Sequence, residues 1–169
     1  MISKEMLRVL CPAAKESIIE GVATYFNQYA KQYDLTTKLR VCHFFAQAAH
    51  ESDGFRTLEE YASGAAYEGR RDLGNIHKGD GRRYKGCRIF QLTGRANYRR
   101  FGEKLNLPLE QNPELAEHPE TSVRIALEYW KDRKININAD KDDVVSVTKK
   151  INGGRNGLAD RKNYLRKAK

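Results

Sequence analysis

The sequence predicts a mainly α-helical fold for this chain of 169 residues. Apolar residues recur at helical spacing through the first third, capping residues precede those segments, and a strong amphipathic pattern follows in the second half. Neither an internal repeat nor a Pro/Gly-rich linker divides the sequence, so we expect residues 1–169 to form a single domain.

The first third contains three predicted helices, each beginning at a residue that suits a helix N-terminus. They cover about 3–10, 12–33 and 37–52, with Ser3, Pro12, and Thr36 or Thr37 at their starts.

The rest of the chain is less uniform. Residues 63–86 are rich in glycine and charge, which predicts a long surface segment, and residues 82–94 alternate in polarity, which predicts a short hairpin or extended strand. Further helices are predicted near 95–105 (with Thr93 as its cap), 121–134, 142–151 and 158–167.

The third predicted helix is the most informative about function. Apolar residues cover most of its surface and leave one narrow polar stripe of His43, Gln47 and His50. Such a stripe faces either a polar cleft or an internal hydrogen-bond network. Glu51 lies at the edge of the stripe in the last turn, and the helix is expected to break before Gly54.

A second acidic pair, Glu59-Glu60, follows soon after Glu51. On one continuous helix Glu51 and Glu60 would lie on opposite faces, so they can share a site only if the chain turns between them. A poorly solvated Glu51 would suit a general acid, and Glu60 in an arginine-rich segment would suit a general base. From spacing alone, however, a salt-bridged Glu51 and solvent-facing Glu59 and Glu60 are favoured.

The net charge is +9, from 31 basic and 22 acidic residues. This charge favours a polyanionic partner such as nucleic acid, an anionic membrane or an acidic bacterial envelope, although a solvated basic surface explains it equally well. No apolar run approaches the ~20 residues that span a bilayer, and the N-terminus lacks the apolar core of a signal peptide. We therefore expect the protein to be made in a cytoplasm and not to insert stably into a membrane.

Metal and nucleic-acid sites are weakly indicated. Cys11, Cys42 and Cys87 lack metal-like spacing, which predicts reduced thiols. His43 and His50 share a face without the spacing of a helical zinc motif, so hydrogen-bonded histidines are favoured over metal ligands. The aromatic residues fall at core positions rather than among the clustered arginines, so we expect no nucleic-acid partner.

Four ordered segments carry a family resemblance: FFAQAAHESDGF, YEGRRDLGN, GDGRRYKGCRIFQLTGRANY and KKINGGRNGLADR. They resemble the motifs of chitinase-like enzymes of glycoside hydrolase family 19, in particular the small bacteriophage and prophage endolysin branch. The resemblance implies a lysozyme-like fold of two lobes, with a small β-hairpin beside the cleft. It also implies an inverting glycosidase that needs no metal or organic cofactor.

The resemblance assigns roles to individual residues. Glu51 matches the general acid and Glu60 the general base, while Thr93 would hold the attacking water with Glu60. Gln91 and Asn97 would bind the sugar or its N-acetyl group. The other residues assigned to substrate binding or to support of the cleft are Asn152, Arg161, His50 and Tyr98.

The sequence departs from the family pattern at three positions. Asp53 stands where the family usually has glycine, and Cys87 and Arg88 replace an arginine and a glycine just before the cleft residues. Arg88 is expected either to intrude on a sugar subsite or to bind an anionic substrate group, with activity altered or lost.

The implied function is that of an endolysin that cleaves β-1,4 bonds between N-acetylated sugars of bacterial peptidoglycan during host lysis. Such a protein is expected to be a monomer that stays in the host cytoplasm until it is released to the cell wall. A chitinase acting on chitin and a catalytically impaired module that binds wall glycan remain as alternatives.

Overall fold

A computed structural model of the chain describes residues 1–86, 89–90 and 92–169. Within these residues the chain forms nine α-helices, in agreement with the predicted fold class. They are α1 Lys4–Leu10, α2 Glu16–Tyr29, α3 Lys38–Glu51, α4 Asp80–Arg83, α5 Arg95–Leu105, α6 Pro119–Asp132, α7 Asn136–Ala139, α8 Val144–Asn152 and α9 Leu158–Ala168. Short 3₁₀ turns cover Ala30–Tyr33, Ala65–Tyr67, Arg71–Leu73 and Pro113–Glu117.

Two predicted caps are confirmed. The Ser3 hydroxyl accepts from the Met6 N–H at 3.1 Å at the start of α1, and the Thr37 hydroxyl accepts from the Arg40 N–H at 3.3 Å at the start of α3. Each bond satisfies one of the backbone donors that a helix N-terminus leaves unpaired. The prediction for Thr93 is wrong, because α5 begins after Gly94 without a side-chain cap.

The helix predicted over 12–33 and the surface segment predicted over 63–86 also differ from expectation. Pro12 lies in a turn, and α2 begins only at Glu16 and tightens into a 3₁₀ turn after Tyr29. The glycine-rich segment 63–86 is more ordered than a plain surface loop, since it contains α4 and two of the 3₁₀ turns.

The predicted hairpin over 82–94 is unconfirmed. Among the described residues no strand forms, and Cys87, Arg88 and Gln91 lie outside them. Ile89 and Phe90 are consecutive and both almost fully buried, whereas a half-buried strand would place them on opposite faces.

The core surrounds α3. The Phe44 ring lies 5.2–5.4 Å from the rings of Phe26, Phe45, Phe90 and Trp130. Helix α3 packs against α9, and α2 packs against α6. Because aromatic rings bury large apolar areas and pack best in tilted or edge-on pairs, this cluster fixes α3 at the centre of the molecule.

A second, smaller apolar cluster gathers around α5 and includes Tyr84 and Leu92, while Ile89 and Phe90 belong to the core around α3. Described residues near one another in sequence thus pack into both cores.

Two cysteines, Cys11 and Cys42, are buried free thiols, as expected for reduced cysteine. Among the described residues, no helix is long and apolar enough to cross a membrane.

Candidate active site

Glu51 is the last residue of α3, and its carboxylate forms an ion pair with Arg161 of α9. The Arg161 Nη2 donates to Glu51 Oε1 at 2.5 Å, and the two side chains are 1% (Arg161) and 13% (Glu51) exposed. The same guanidinium donates to Gln47 Oε1 at 2.5 Å and to the Asn156 carbonyl at 3.1 Å. Buried charges need such full pairing, so the guanidinium is fixed in one orientation.

The polar stripe of α3 faces an internal hydrogen-bond network. His50 Nδ1 lies 2.7 Å from Asp160 Oδ2, one residue before Arg161, and the buried Gln47 donates to the Thr148 hydroxyl at 3.1 Å. Gly157 packs directly on the His50 ring, where an added methyl group would come within 2.2 Å of its Cε1. His50 therefore fixes the start of α9 relative to the end of α3.

The chain reverses immediately after α3. Asp53, Gly54 and Phe55 adopt positive φ angles of 52°, 67° and 57° in succession. A buried phenylalanine rarely adopts this conformation, and here the Ser52 hydroxyl supports it by accepting from the Phe55 N–H at 2.9 Å. The left-handed backbone at Asp53 also explains why glycine suits this position in the family motif.

Glu60 is bound to Gly86 through both its backbone and its side chain. Its N–H donates to the Gly86 carbonyl at 3.0 Å, and its Oε2 accepts from the Gly86 N–H at 3.0 Å. Its Oε1 accepts from the Tyr67 hydroxyl at 2.8 Å. Two donors thus hold the Glu60 carboxylate in one orientation.

Glu59 lies in a different environment. Its carboxylate forms an ion pair with Lys85, and its side chain is 43% exposed. Glu59 is therefore a partly exposed acid paired with a lysine, whereas Glu60 is bound to the backbone of Gly86.

Thr93 also lies next to Gly86. Its hydroxyl is buried and has no hydrogen-bond partner among the described residues. A methyl group added at Gly86 would lie 2.9 Å from Glu60 Oε2 and 3.3 Å from Thr93 Oγ1, so both oxygens face the same point. A buried hydroxyl normally has a partner, and its absence indicates a place for a water molecule or a ligand.

Helix α5 fixes this second group of residues. Asn97 Nδ2 donates to the Thr93 carbonyl at 2.8 Å, and the Tyr98 hydroxyl donates to the Lys85 carbonyl at 2.8 Å. Both bonds are made to backbone on either side of Gly86. They hold Thr93 and Gly86 in the positions that Glu60 requires.

Tyr129 of α6 lies near both groups of residues. Its hydroxyl donates to the Ile151 carbonyl at 3.0 Å, next to the exposed Asn152 at the end of α8. Burial raises the pKa of Tyr129, the Arg133 guanidinium lowers it, and the Glu51 carboxylate raises it. Tyr129 and Asn97 also line one cavity.

No family model matches the chain. A protein of Haemophilus influenzae named as containing a glycosyl hydrolase family 19 domain is 28% identical, over 95% of this chain and 92% of its own length. Chitinase C from Streptomyces griseus has the same fold, with a TM-score of 0.79 and 20% identity over 99% of this chain and 74% of its own. The resemblance to glycoside hydrolase family 19 is confirmed by the Haemophilus protein, while the endolysin branch stays a prediction.

The class IV chitinase from Zea mays, described as family GH19, also has this fold, with a TM-score of 0.77 and 18% identity over 99% of this chain and 90% of its own. The expected enzyme class, a chitinase-like glycosidase, agrees with the names of these proteins, which are a glycosyl hydrolase family 19 domain protein and two chitinases.

The residues assigned from the family motifs fall into two groups. Glu51, His50 and Arg161 lie together where α3 meets α9, while Glu60, Thr93, Asn97 and Tyr98 surround Gly86. Asn152 lies exposed at the end of α8, and Gln91 is outside the described residues.

Three residues important to this geometry were missed from the sequence: Tyr67, Gly86 and Tyr129. Tyr67 and Gly86 bind Glu60, and Tyr129 binds the Ile151 carbonyl and lines a cavity with Asn97. No local spacing pattern marks them, because each acts through a contact made by the tertiary fold. In the described part of the chain, no group of three or more His, Cys, Asp or Glu side chains could hold a metal ion.

Proposed function

We propose that this protein is an inverting glycosidase that cleaves β-1,4 bonds between N-acetylated sugars of bacterial peptidoglycan. The observation that carries the proposal is the pair of oxygens facing Gly86. Glu60 Oε2 and the Thr93 hydroxyl, which has no partner among the described residues, both lie within 3.3 Å of the position that a methyl group at Gly86 would take, and in the proposal one water molecule contacts both. Glu51, bound to Arg161 where α3 meets α9, is the second carboxyl group of the proposal.

Glu51 is the general acid in this proposal. Arg161 occupies its Oε1, and no described residue bonds its Oε2, so Oε2 is the atom available to carry a proton to the leaving oxygen. After proton transfer, Arg161 stabilises the carboxylate that forms.

Glu60 is the general base. The Tyr67 hydroxyl and the Gly86 N–H hold the carboxylate in one orientation, while Thr93 orients the water for proton removal. Inverting enzymes keep their two carboxyl groups roughly 6.5–9.5 Å apart to leave room for this water. Glu51 is held by Arg161 and Glu60 by Gly86, so each carboxylate has a fixed position in the proposed site.

The choice of peptidoglycan rests on charge. A protein of net charge +9 is attracted to an anionic wall polymer, whereas chitin offers no charge to attract it. The biological role that fits this substrate is that of an endolysin, kept in the cytoplasm of a bacterial host until release to the wall.

Mass spectrometry of digested substrates tests the proposal. Purified peptidoglycan and chitin are incubated with the protein, and new reducing ends are identified together with the sugar that bears them. We expect new reducing ends from peptidoglycan. New reducing ends from chitin alone would identify a chitinase instead. Binding to peptidoglycan without new reducing ends would identify a glycan-binding module.

A further inference from the structure

A cavity of about 240 Å³ lies beside the candidate site, between α5 and the end of α6. Asn97 lines one side and Tyr129 the other. Asn97 is bonded to Thr93, and Tyr129 lies close enough to Glu51 for that carboxylate to raise its pKa. The cavity thus adjoins Asn97, which binds the backbone of Thr93 in the candidate site.

The cavity and its edge carry more cationic side chains than carboxylates. Arg100 Nη2 donates to Asp132 Oδ2 at 2.8 Å, and Lys104 from outside the cavity donates to Asp132 Oδ1 at 2.5 Å. One carboxylate is thus shared by two cations. Arg133, the third cation, has no ion pair with the residues that the structure describes.

Arg133 is held by an aromatic ring rather than by a carboxylate. Its guanidinium carbon lies 4.1 Å from the centre of the Tyr129 ring. Stacking of this kind uses the face of the guanidinium and leaves the N–H groups on its edge free to bind an acceptor. The planar fork of N–H donors matches a carboxylate, which it binds through two parallel hydrogen bonds.

We propose that Arg133 forms a subsite for a carboxylate substituent carried by the glycan. The inference rests on the proposed function and makes it more specific, because the acidic substituents of peptidoglycan would bind here and the neutral sugars of chitin would not. Arg133 would then be a specificity-determining residue. The excess positive charge around Asp132 adds long-range attraction for the same group.

Binding measurements test this subsite without turnover. In a Glu51→Gln background, calorimetry compares soluble peptidoglycan strands, the same strands with their carboxylates converted to amides, and a neutral N-acetylglucosamine hexamer. We expect Arg133→Gln to weaken binding of the acidic strands about 10-fold, the loss of one exposed charge-assisted interaction, and to leave the other two ligands unchanged.

A matched control is available on the same stretch of chain. Lys131 stacks on Tyr33, away from the cavity, and Lys131→Gln makes the same change in net charge. We expect Lys131→Gln to have less than a 2-fold effect on all three ligands, and Arg133→Lys to recover part of the lost affinity.

The remaining outcomes separate the two proposals. Equal weakening of all three ligands by Arg133→Gln would show that Arg133 only supports Tyr129, and an unchanged affinity for the acidic strands would also overturn the subsite. Wild-type protein that binds acidic strands through Arg133 but releases no reducing ends would contradict the proposed function alone. Failure to bind any of the three ligands would contradict both.

Discussion

The Arg161 guanidinium binds the Glu51 carboxylate at 2.5 Å in a position where the arginine side chain is only 1% exposed. Arg161 comes from α9, near the end of the chain, and Glu51 comes from the last turn of α3. The ion pair therefore joins the candidate acid to a helix 110 residues away in sequence. It links the stability of the α3–α9 contact to the geometry of the site.

Replacement of Arg161 is expected to destabilise the fold. Arg161→Leu leaves Glu51 and Gln47 without their shared donor, and removal of one partner of a buried ion pair costs about 3 kcal/mol. Urea denaturation measures the loss as a lower midpoint. Arg166→Gln on the same helix is the control, because Arg166 is exposed and its replacement is expected to change stability by less than about 0.5 kcal/mol. Equal effects of the two variants would contradict the role given to Arg161.

The Thr93 hydroxyl is predicted to raise the rate of hydrolysis and to lower the stability of the fold. Thr93→Val replaces a buried hydroxyl that lacks a described partner with a methyl group of similar size, so the free energy of unfolding should rise by about 1 kcal/mol. The rate of glycan hydrolysis should fall at least about 10-fold, because the attacking water loses a contact. Thermal denaturation and release of reducing ends measure the two effects.

Thr93→Ser is the matched control for this trade-off, since it keeps the hydroxyl and is expected to keep most of the activity. A destabilised Thr93→Val protein would instead indicate that the hydroxyl has a structural partner.

Acid sensitivity is expected to come from Asp80 and Glu110, which surround Arg95. The Arg95 guanidinium, bonded to Asp80 at 2.7 and 2.9 Å, lowers the pKa of Asp80 from 3.8 to about 2, and Arg99 together with Arg95 lowers that of Glu110 to about 2. A carboxyl whose pKa is lower in the folded state contributes stability above its unfolded pKa. That stability is lost as the pH falls toward the folded value. We therefore expect the free energy of unfolding to decrease between about pH 4 and pH 2.

Asp80→Asn tests the assignment. The variant should lose about 3 kcal/mol at neutral pH and show a shallower decrease in acid, as measured by urea denaturation at a series of pH values. Asp72→Asn, at an exposed carboxylate, serves as the control and should leave the acid decrease intact. An unchanged pH profile in Asp80→Asn would rule out the buried pair as its source.

Local patterns predicted the helices well because periodicity and capping are properties of neighbouring residues. Ser3 and Thr37 cap their helices as expected. Thr93 does not cap α5, because its hydroxyl is buried near Gly86 instead. The polarity pattern that predicted a strand over 82–94 is not reflected in the burial of Ile89 and Phe90, since both pack into the core around Trp130.

The candidate site was predictable in its carboxyl groups but not in their environment. The helix end and the motif single out Glu51, and the resemblance selects Glu60 over Glu59. The physical difference between Glu59 and Glu60 depends on Gly86, which is 26 residues from Glu60 in sequence. The cavity at Arg133 depends on the meeting of α5 and α6 and has no signature in either helix alone.

The most direct test of the two-carboxylate account compares three single substitutions by their release of reducing ends from purified peptidoglycan. Glu51→Gln and Glu60→Gln are each predicted to lower the rate at least about 100-fold with an unchanged circular dichroism spectrum, since each removes the acid or the base. Glu59→Gln is predicted to stay within about 3-fold of the wild type, because it loses only an exposed ion pair. A near-normal rate in Glu51→Gln, or a larger loss in Glu59→Gln than in Glu60→Gln, would contradict the account.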